Sequence, residues 1–196
     1  MMIIRQYRKS DEREWLRCRV VSFLDCSYWN DVKTAKEAYP HPGISFVAEE
    51  NGTIIGLIDI ELDSSDLYRT DKGRGAIIWD LAVLQEYRKT GIAKKLWGCA
   101  LKELKSQGVQ YCEVWTQDDV AANSFYNSIG FQMEDSQTRI RCYAEGKKCN
   151  ELLDHAAMGA IYGPEELVFD APVSRREELQ GICRRINEVR LYSRTL

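Results

Sequence analysis

The chain has no Cys-x-x-Cys pair, only two histidines (His41 and His155), and no apolar run near the ~20 residues that cross a bilayer. Its cysteines, Cys18, Cys26, Cys99, Cys112, Cys142, Cys149 and Cys183, are odd in number and scattered. A structural zinc site therefore has no ligand cluster to build on, and no metal is expected. Reduced thiols are the plain expectation, with Cys99 and Cys112 as small core residues. Residues 1–10 hold a few apolar side chains, then Arg5, Arg8 and Lys9, without the apolar segment of a signal peptide. The expected location is cytoplasmic, with no membrane partner. An excess of positive charge is missing too: 27 Lys and Arg against 30 Asp and Glu give a net charge of −3. Nothing global draws this chain to nucleic acid, so any basic site must be local. The phosphate-binding pattern Gly-x-x-x-x-Gly-Lys-Ser/Thr is also absent.

What is present is an ordinary globular composition, 44% hydrophobic and 29% charged over 196 residues, without repeats or a low-complexity linker. One domain is expected. Residues 3–7 suggest a strand, and Ser10 is placed to cap a helix over residues 11–23. Asn30 or Asp31 is placed to cap a second helix through Ala38, before the Pro-His-Pro-Gly cluster at residues 40–43. Residues 45–50 and 53–61 flank Asn51-Gly52, the strongest hairpin signal in the chain. A strand over residues 76–84, a helix over 92–107, a strand over 111–116 and a helix over 120–129 follow, with Gly130 at a helix C-terminus. Beyond it we expect a strand over 131–143, a helix over 175–187 and a strand over 188–196.

Residues 87–93 read Tyr-Arg-Lys-Thr-Gly-Ile-Ala, between the apolar run at 76–84 and the amphipathic run at 92–107. A basic, glycine-containing turn into a helix builds an anion site, because first-turn N–H groups lack intrahelical partners and the helix dipole is positive there. The preceding strand carries Leu81-Ala82-Val83, and a later segment carries Asn123, Tyr126, Gly130 and Phe131. Together these resemble the GNAT superfamily of acetyl-CoA-dependent N-acyltransferases. The family's pyrophosphate loop, Gln/Arg-x-x-Gly-x-Gly/Ala, matches Arg88 to Ala93, and the Asn-x-x-Tyr then Gly-Phe pattern matches the later segment. The resemblance covers about residues 3–131.

The resemblance implies an α+β fold: a GNAT-type mixed, mostly antiparallel central sheet flanked by helices, with a C-terminal insertion between the last two strands. The core would take residues 1–143 and 188–196, the insertion 144–187. It implies an N-acetyltransferase that moves the acetyl group of acetyl-CoA directly to a primary amine in a ternary complex. Arg88, Lys89, Thr90, Gly91, Ile92 and Ala93 would hold the pyrophosphate. Leu81, Ala82 and Val83 would offer backbone groups to the pantetheine arm, one N–H polarising the thioester carbonyl. Asn123 would hydrogen-bond that arm, and Tyr126 would be the general acid toward the CoA thiolate.

The attacking amine must be neutral, and Asp80, alone in an apolar strand, is the candidate base. A water path is the other route, and a carboxylate buried beside an arginine is the non-catalytic alternative. Strict alternation puts Asp80 on the face of Ile78 and Ala82, opposite Trp79 and Leu81; a β-bulge would change that phase. Trp29, Trp79 and Trp115, with Tyr28, are available to line an acceptor pocket. The plainer alternative makes most tryptophans core, and Asp59 with Glu61 a solvated strand face, as for Arg139 and Arg141. The acceptor, small molecule or protein amine, stays open. So does the insertion's role, as a cover for the cleft or a homodimer contact. A catalytically idle CoA-binding or sensor domain is the alternative function.

Overall fold

A computed structural model describes residues 1–146, 148, 152 and 166–196. Cys149, His155 and the middle of the expected insertion lie outside the described residues. The first half runs β1 (Met2–Gln6), α1 (Glu12–Phe23), β2 (Gly43–Glu50), β3 (Thr53–Leu62), β4 (Gly75–Val83) and α2 (Ile92–Ser106). The second runs β5 (Tyr111–Gln117), α3 (Val120–Ser128), β6 (Gln132–Met133), β7 (Arg139–Glu145), β8 (Glu166–Pro172), α4 (Arg176–Gln180) and β9 (Arg185–Thr195).

The strands make one sheet in the order β1-β2-β3-β4-β5-β9-β7-β8, with β6 also on β9. Among the described residues every pairing is antiparallel except β4 with β5. The α+β expectation holds. The hairpin forms where Asn51-Gly52 demands it, both residues at positive φ (51° and 81°). The main core packs α1 and α2 against the sheet through Trp15, Leu57, Ile58, Leu96, Leu104 and Phe131. At Gly56 an added Cβ would lie 3.0 Å from Ile92 Cγ2 and 3.2 Å from the Ala82 carbonyl oxygen. The start of α2 is thus seated directly on β3. Gly56→Ala should cost about 1–3 kcal/mol, read as a lower urea midpoint at unchanged m-value.

Several local expectations are corrected. Ser10 does not cap α1; a 3-10 turn over Lys9–Asp11 precedes the helix, and the Asp11 carboxylate accepts the Arg8 N–H at 2.7 Å. No helix forms over residues 30–38. Asp31, Lys33 and Lys36 are drawn into ion pairs with Arg19, Asp80 and Asp59, and these contacts override the local signal. The strand expected over residues 131–143 is broken by a 3-10 turn at Asp135–Gln137. The expected helix over residues 175–187 stops at Gln180, since the chain must be extended by Arg185 to pair with β5 and β7. The insertion is not a plain excursion between the last two strands. It contains β8, which pairs along all of β7 and extends the sheet.

Candidate active site

The site begins with a β-bulge. β3 and β4 pair Asp59 with Asp80 but Ile60 with Ile78, so Trp79 is an extra residue. Paired residues share a face, so Asp80 lies with Asp59, while Ile78 lies with Ile60. This corrects the strict alternation: Asp80 does not share the face of Ile78. The bulge brings Trp79 onto the acid-bearing face, where its Nε1 donates to Glu61 Oε2 at 2.9 Å.

The bulge also bends β4 away from its parallel neighbour. The β4–β5 register runs from Gly75–Tyr111 to Ile78–Val114 and stops there, whereas β5 stays paired with β9 through Gln117–Val189. The two central strands therefore splay. The Leu84 N–H bonds the Ile55 carbonyl at 3.0 Å, on the β3 side. Alternation then turns the backbone groups of Leu81 and Val83 toward the opening. The Val83 carbonyl accepts Arg88 Nε at 3.1 Å. Across the opening the Gln117 N–H is held by the Tyr28 hydroxyl at 2.7 Å.

Below the opening, Gly91 precedes α2 at φ 85°, without a side-chain cap, and Lys89 is also left-handed at φ 63°. A Cβ on Gly91 would meet nothing within 4 Å, so glycine serves the backbone angle there, not a steric gap. The N–H groups of Ile92, Ala93 and Lys94 are the unshared first-turn donors. Thr90 Oγ1 donates to the Tyr87 carbonyl at 2.5 Å, which tightens the turn. Arg88 is differently employed. Its guanidinium forks onto Asp25 at 2.7 and 2.9 Å and onto the Ser22 carbonyl at 2.7 Å, tying the loop to the end of α1. Free positive charge in the turn falls to Lys89.

Tyr126 is buried on α3, edge-on to Phe125 and Phe131 with centroids 5.4 and 5.6 Å away, and tilted against Tyr192 at 6.1 Å. Burial raises its pKa above the ordinary phenol value, and the nearby Tyr28, Cys112 and Asp80 add to the rise. The hydroxyl stays protonated through neutral pH. Asn123, one turn earlier, donates to the carbonyls of Gln117 (2.7 Å) and Asp119 (2.6 Å). Its Oδ1 accepts from Tyr192 Oη (2.8 Å) and Arg190 (3.1 Å). All four hydrogen-bonding positions of the amide are in use, and together they fix α3 to β5 and β9.

Asp80 is buried and ion-paired. Oδ1 accepts Arg19 Nε at 2.7 Å, with both side chains at most 2% exposed. Oδ2 is buried without a hydrogen bond, and Lys33 Nζ stands 3.5 Å away. Asp59 and Glu61 are 0% and 1% exposed, so the solvated-face expectation for them is corrected. Burial raises the Asp59 pKa, partly offset by the Lys36 ammonium and the Ser45 hydroxyl. For Glu61, hydrogen bonds from Trp79, Ser64 and His41 outweigh the upward push of burial and lower its pKa. Arg139 and Arg141 are half-buried and paired with Asp170, not a solvated face.

The tryptophans do not share one pocket. Trp79 stacks on Tyr39, centroids 6.1 Å apart, in a pocket with Glu61 and Asp66. Trp115 lies under Arg139 in another, with Ser136 and Pro172. Trp29 is 43% exposed, with the guanidinium groups of Arg184 and Arg185 5.7 and 5.2 Å from its ring centroid. Reading the sequence missed Arg19, Lys33, Lys36 and Tyr39. Arg19 left a signal: it sits on the buried stripe of α1 with Trp15, Cys18 and Ser22. A cation there demands a buried anion.

A splayed parallel strand pair above an uncapped helix start, with a protonated phenol alongside, defines a fold for holding an extended, phosphate-bearing ligand. The chain belongs to the acetyltransferase (GNAT) family, whose model matches residues 5–131. It is 40% identical over 91 residues to N-alpha-acetyltransferase 30 of Schizosaccharomyces pombe; the match covers 46% of this chain and 58% of that protein's length. Two solved structures share the fold. One is PaiA N-acetyltransferase from Thermoplasma acidophilum in complex with coenzyme A (18% identity, TM-score 0.55, 69% of this chain and 92% of that one). The other is a GNAT-family acetyltransferase from Staphylococcus aureus Mu50 (18% identity, TM-score 0.58, 100% and 99%). Among the described residues no helix is long and apolar enough to cross a membrane, and no metal-ligating cluster occurs.

Proposed function

We propose that this protein transfers the acetyl group of acetyl-CoA to a primary amine, by direct attack in a ternary complex. The observation that carries the reading is the parting of β4 from β5 beyond Ile78–Val114, which frees the backbone of Leu81 and the N–H of Val83. A CoA-bound relative of the same fold and the N-acetyltransferase named among its relatives support it. The uncapped N–H groups at residues 92–94, with Lys89, suit a pyrophosphate. Leu81, Ala82 and Val83 suit the pantetheine arm, which lies along the splayed edge as a missing strand would.

The amine nitrogen attacks the thioester carbonyl, whose developing negative charge is met by an N–H of Leu81 or Val83. As the C–S bond breaks, Tyr126 gives its proton to the departing sulfur. The amine's proton leaves toward Asp80 Oδ2 or water, and the phenol is reprotonated from solvent. Arg88 and Asn123 act through position: the first holds the loop to the strand end, the second holds the helix of Tyr126. The test is CoA release, followed with a thiol-reactive dye, when purified protein meets acetyl-CoA and a panel of amines. Acetyl-CoA binding with release above the no-enzyme rate supports the reading. Binding without release from any amine would leave the idle CoA-binding domain in its place.

A further inference from the structure

The segment between α1 and β2 has no regular structure, yet it sends three side chains inward at spacing three: Lys33, Lys36 and Tyr39. Its neighbours on either side are exposed. Lys36 Nζ lies 2.7 Å from Asp59 Oδ1, and its side chain is only 10% exposed. Three rings surround the same ammonium, with Nζ 5.2 Å from the centroids of Tyr7 and Trp15 and 5.3 Å from that of Tyr39. Aromatic faces around a cation, closed by a carboxylate, form an ammonium receptor. The Asp59 carboxylate is itself fixed by Trp15 Nε1 at 2.8 Å and by the Ser45 hydroxyl.

A second cation position lies beside it. Asp80 is the cross-strand partner of Asp59, and Lys33 Nζ stands near its Oδ2 without a hydrogen bond to it. That oxygen and the Tyr39 hydroxyl are both buried without a hydrogen bond, because Lys33 stands off at 3.5 Å and gives its own hydrogen bond to Glu37 at 2.5 Å, so the chain supplies the donor only loosely. Directly paired strand residues lie about 4.5–5.5 Å apart, so the two ammonium positions are a short alkyl chain apart. Asp80 adjoins Leu81, where the splayed edge begins, whereas the aromatic box lies farther back, over β2 and β3.

We propose that these two positions are the acceptor's subsites, filled here by Lys33 and Lys36 as a tethered plug. The acceptor class is then a di- or polyamine. Its non-reacting ammonium takes the box of Tyr7, Trp15, Tyr39 and Asp59, and its reacting nitrogen takes the place beside Asp80. The exchange replaces ammonium by ammonium, so its main cost is moving an irregular segment. This inference rests on the acetyltransferase reading for which end reacts, but not for whether diamines bind. A tethered competitor acts at millimolar effective concentration and weakens the free ligand accordingly.

Titration calorimetry without acetyl-CoA tests it, using 1,4-diaminobutane and n-butylamine on the wild type, Lys36→Ala and Lys33→Ala. The expected result is diamine binding at least about tenfold tighter in Lys36→Ala than in the wild type, with n-butylamine weaker than the diamine throughout. Lys33 is more peripheral, so Lys33→Ala gives the same readout should Lys36→Ala fail to fold, with a smaller gain. Diamine affinity unchanged in both variants, or a monoamine that binds as well as the diamine, overturns the plug. Loss of the gain alongside normal acetyl transfer to other amines removes only this inference. A gain without transfer to any amine removes only the acetyltransferase reading.

Discussion

Tyr126→Phe is expected to lower kcat by about 10²–10⁴-fold, the usual worth of a positioned general acid, while acetyl-CoA affinity barely moves. Nothing else in the site changes with that hydroxyl. The ring contacts with Phe125, Phe131 and Tyr192 remain, so α3 keeps its place. The backbone groups at Leu81 and Val83 are independent of it. The phenol's raised pKa sets how the proton moves. An alkyl thiol sits near 8.5 and an unperturbed phenol near 10, so the phenol's main contribution is a hydrogen bond that strengthens as negative charge gathers on sulfur. The proton passes on only as the thiolate is protonated overall from solvent. The loss therefore falls on kcat and kcat/KM together, the mark of an interaction made only in the transition state. Steady-state kinetics with calorimetric acetyl-CoA binding measures both. Equal turnover in Tyr126→Phe would take this residue out of the chemistry.

The sequence announced the elements around the basic turn well. The strand, turn and helix around Gly91 lie within one or two residues of their expected bounds, because the signals are local. Asn51-Gly52 fixed the hairpin for the same reason. The surroundings of Asp59, Glu61 and Asp80 were poorly legible, since they are made by contacts distant in sequence. Asp59 and Glu61 look like a polar strand face until one sees Trp15, Lys36, Trp79 and His41 brought to them from other elements. The irregular segment before β2 looked helical because its residues tolerate helix, and only the buried carboxylates explain why it is not. The bulge at Trp79 had no sequence marker, yet it sets the face of Asp80 and begins the splay. Arg88 shows the same limit. Its charge suggested a phosphate ligand, and the carboxylate that uses it, Asp25, lies 63 positions away.

Arg19→Met should destabilise the protein by about 3–5 kcal/mol, because it leaves a buried carboxylate without its partner. Arg19 meets Asp80 at 2.7 Å and holds the irregular segment through both the side chain and the carbonyl of Asp31, at 2.7 and 2.8 Å. The Asp31 side chain is 47% exposed and can return to water; Asp80, 1% exposed, cannot. Lys33 at 3.5 Å is too loose to compensate. For a domain of this size the loss corresponds to a melting temperature lower by roughly 10 °C. Asp80→Asn should be similarly costly, since it strands the guanidinium. The double variant Arg19→Met/Asp80→Asn should be more stable than either single one, because a buried pair removed whole leaves no uncompensated charge. Thermal unfolding of the four proteins closes the cycle, and a single-variant loss under 1 kcal/mol would show the pair to be dispensable. The double variant also separates structure from chemistry. Turnover restored with stability assigns Asp80 to holding α1 on the sheet, and hands the amine's proton to water. Stability restored without turnover leaves Asp80 Oδ2 as the atom that receives it.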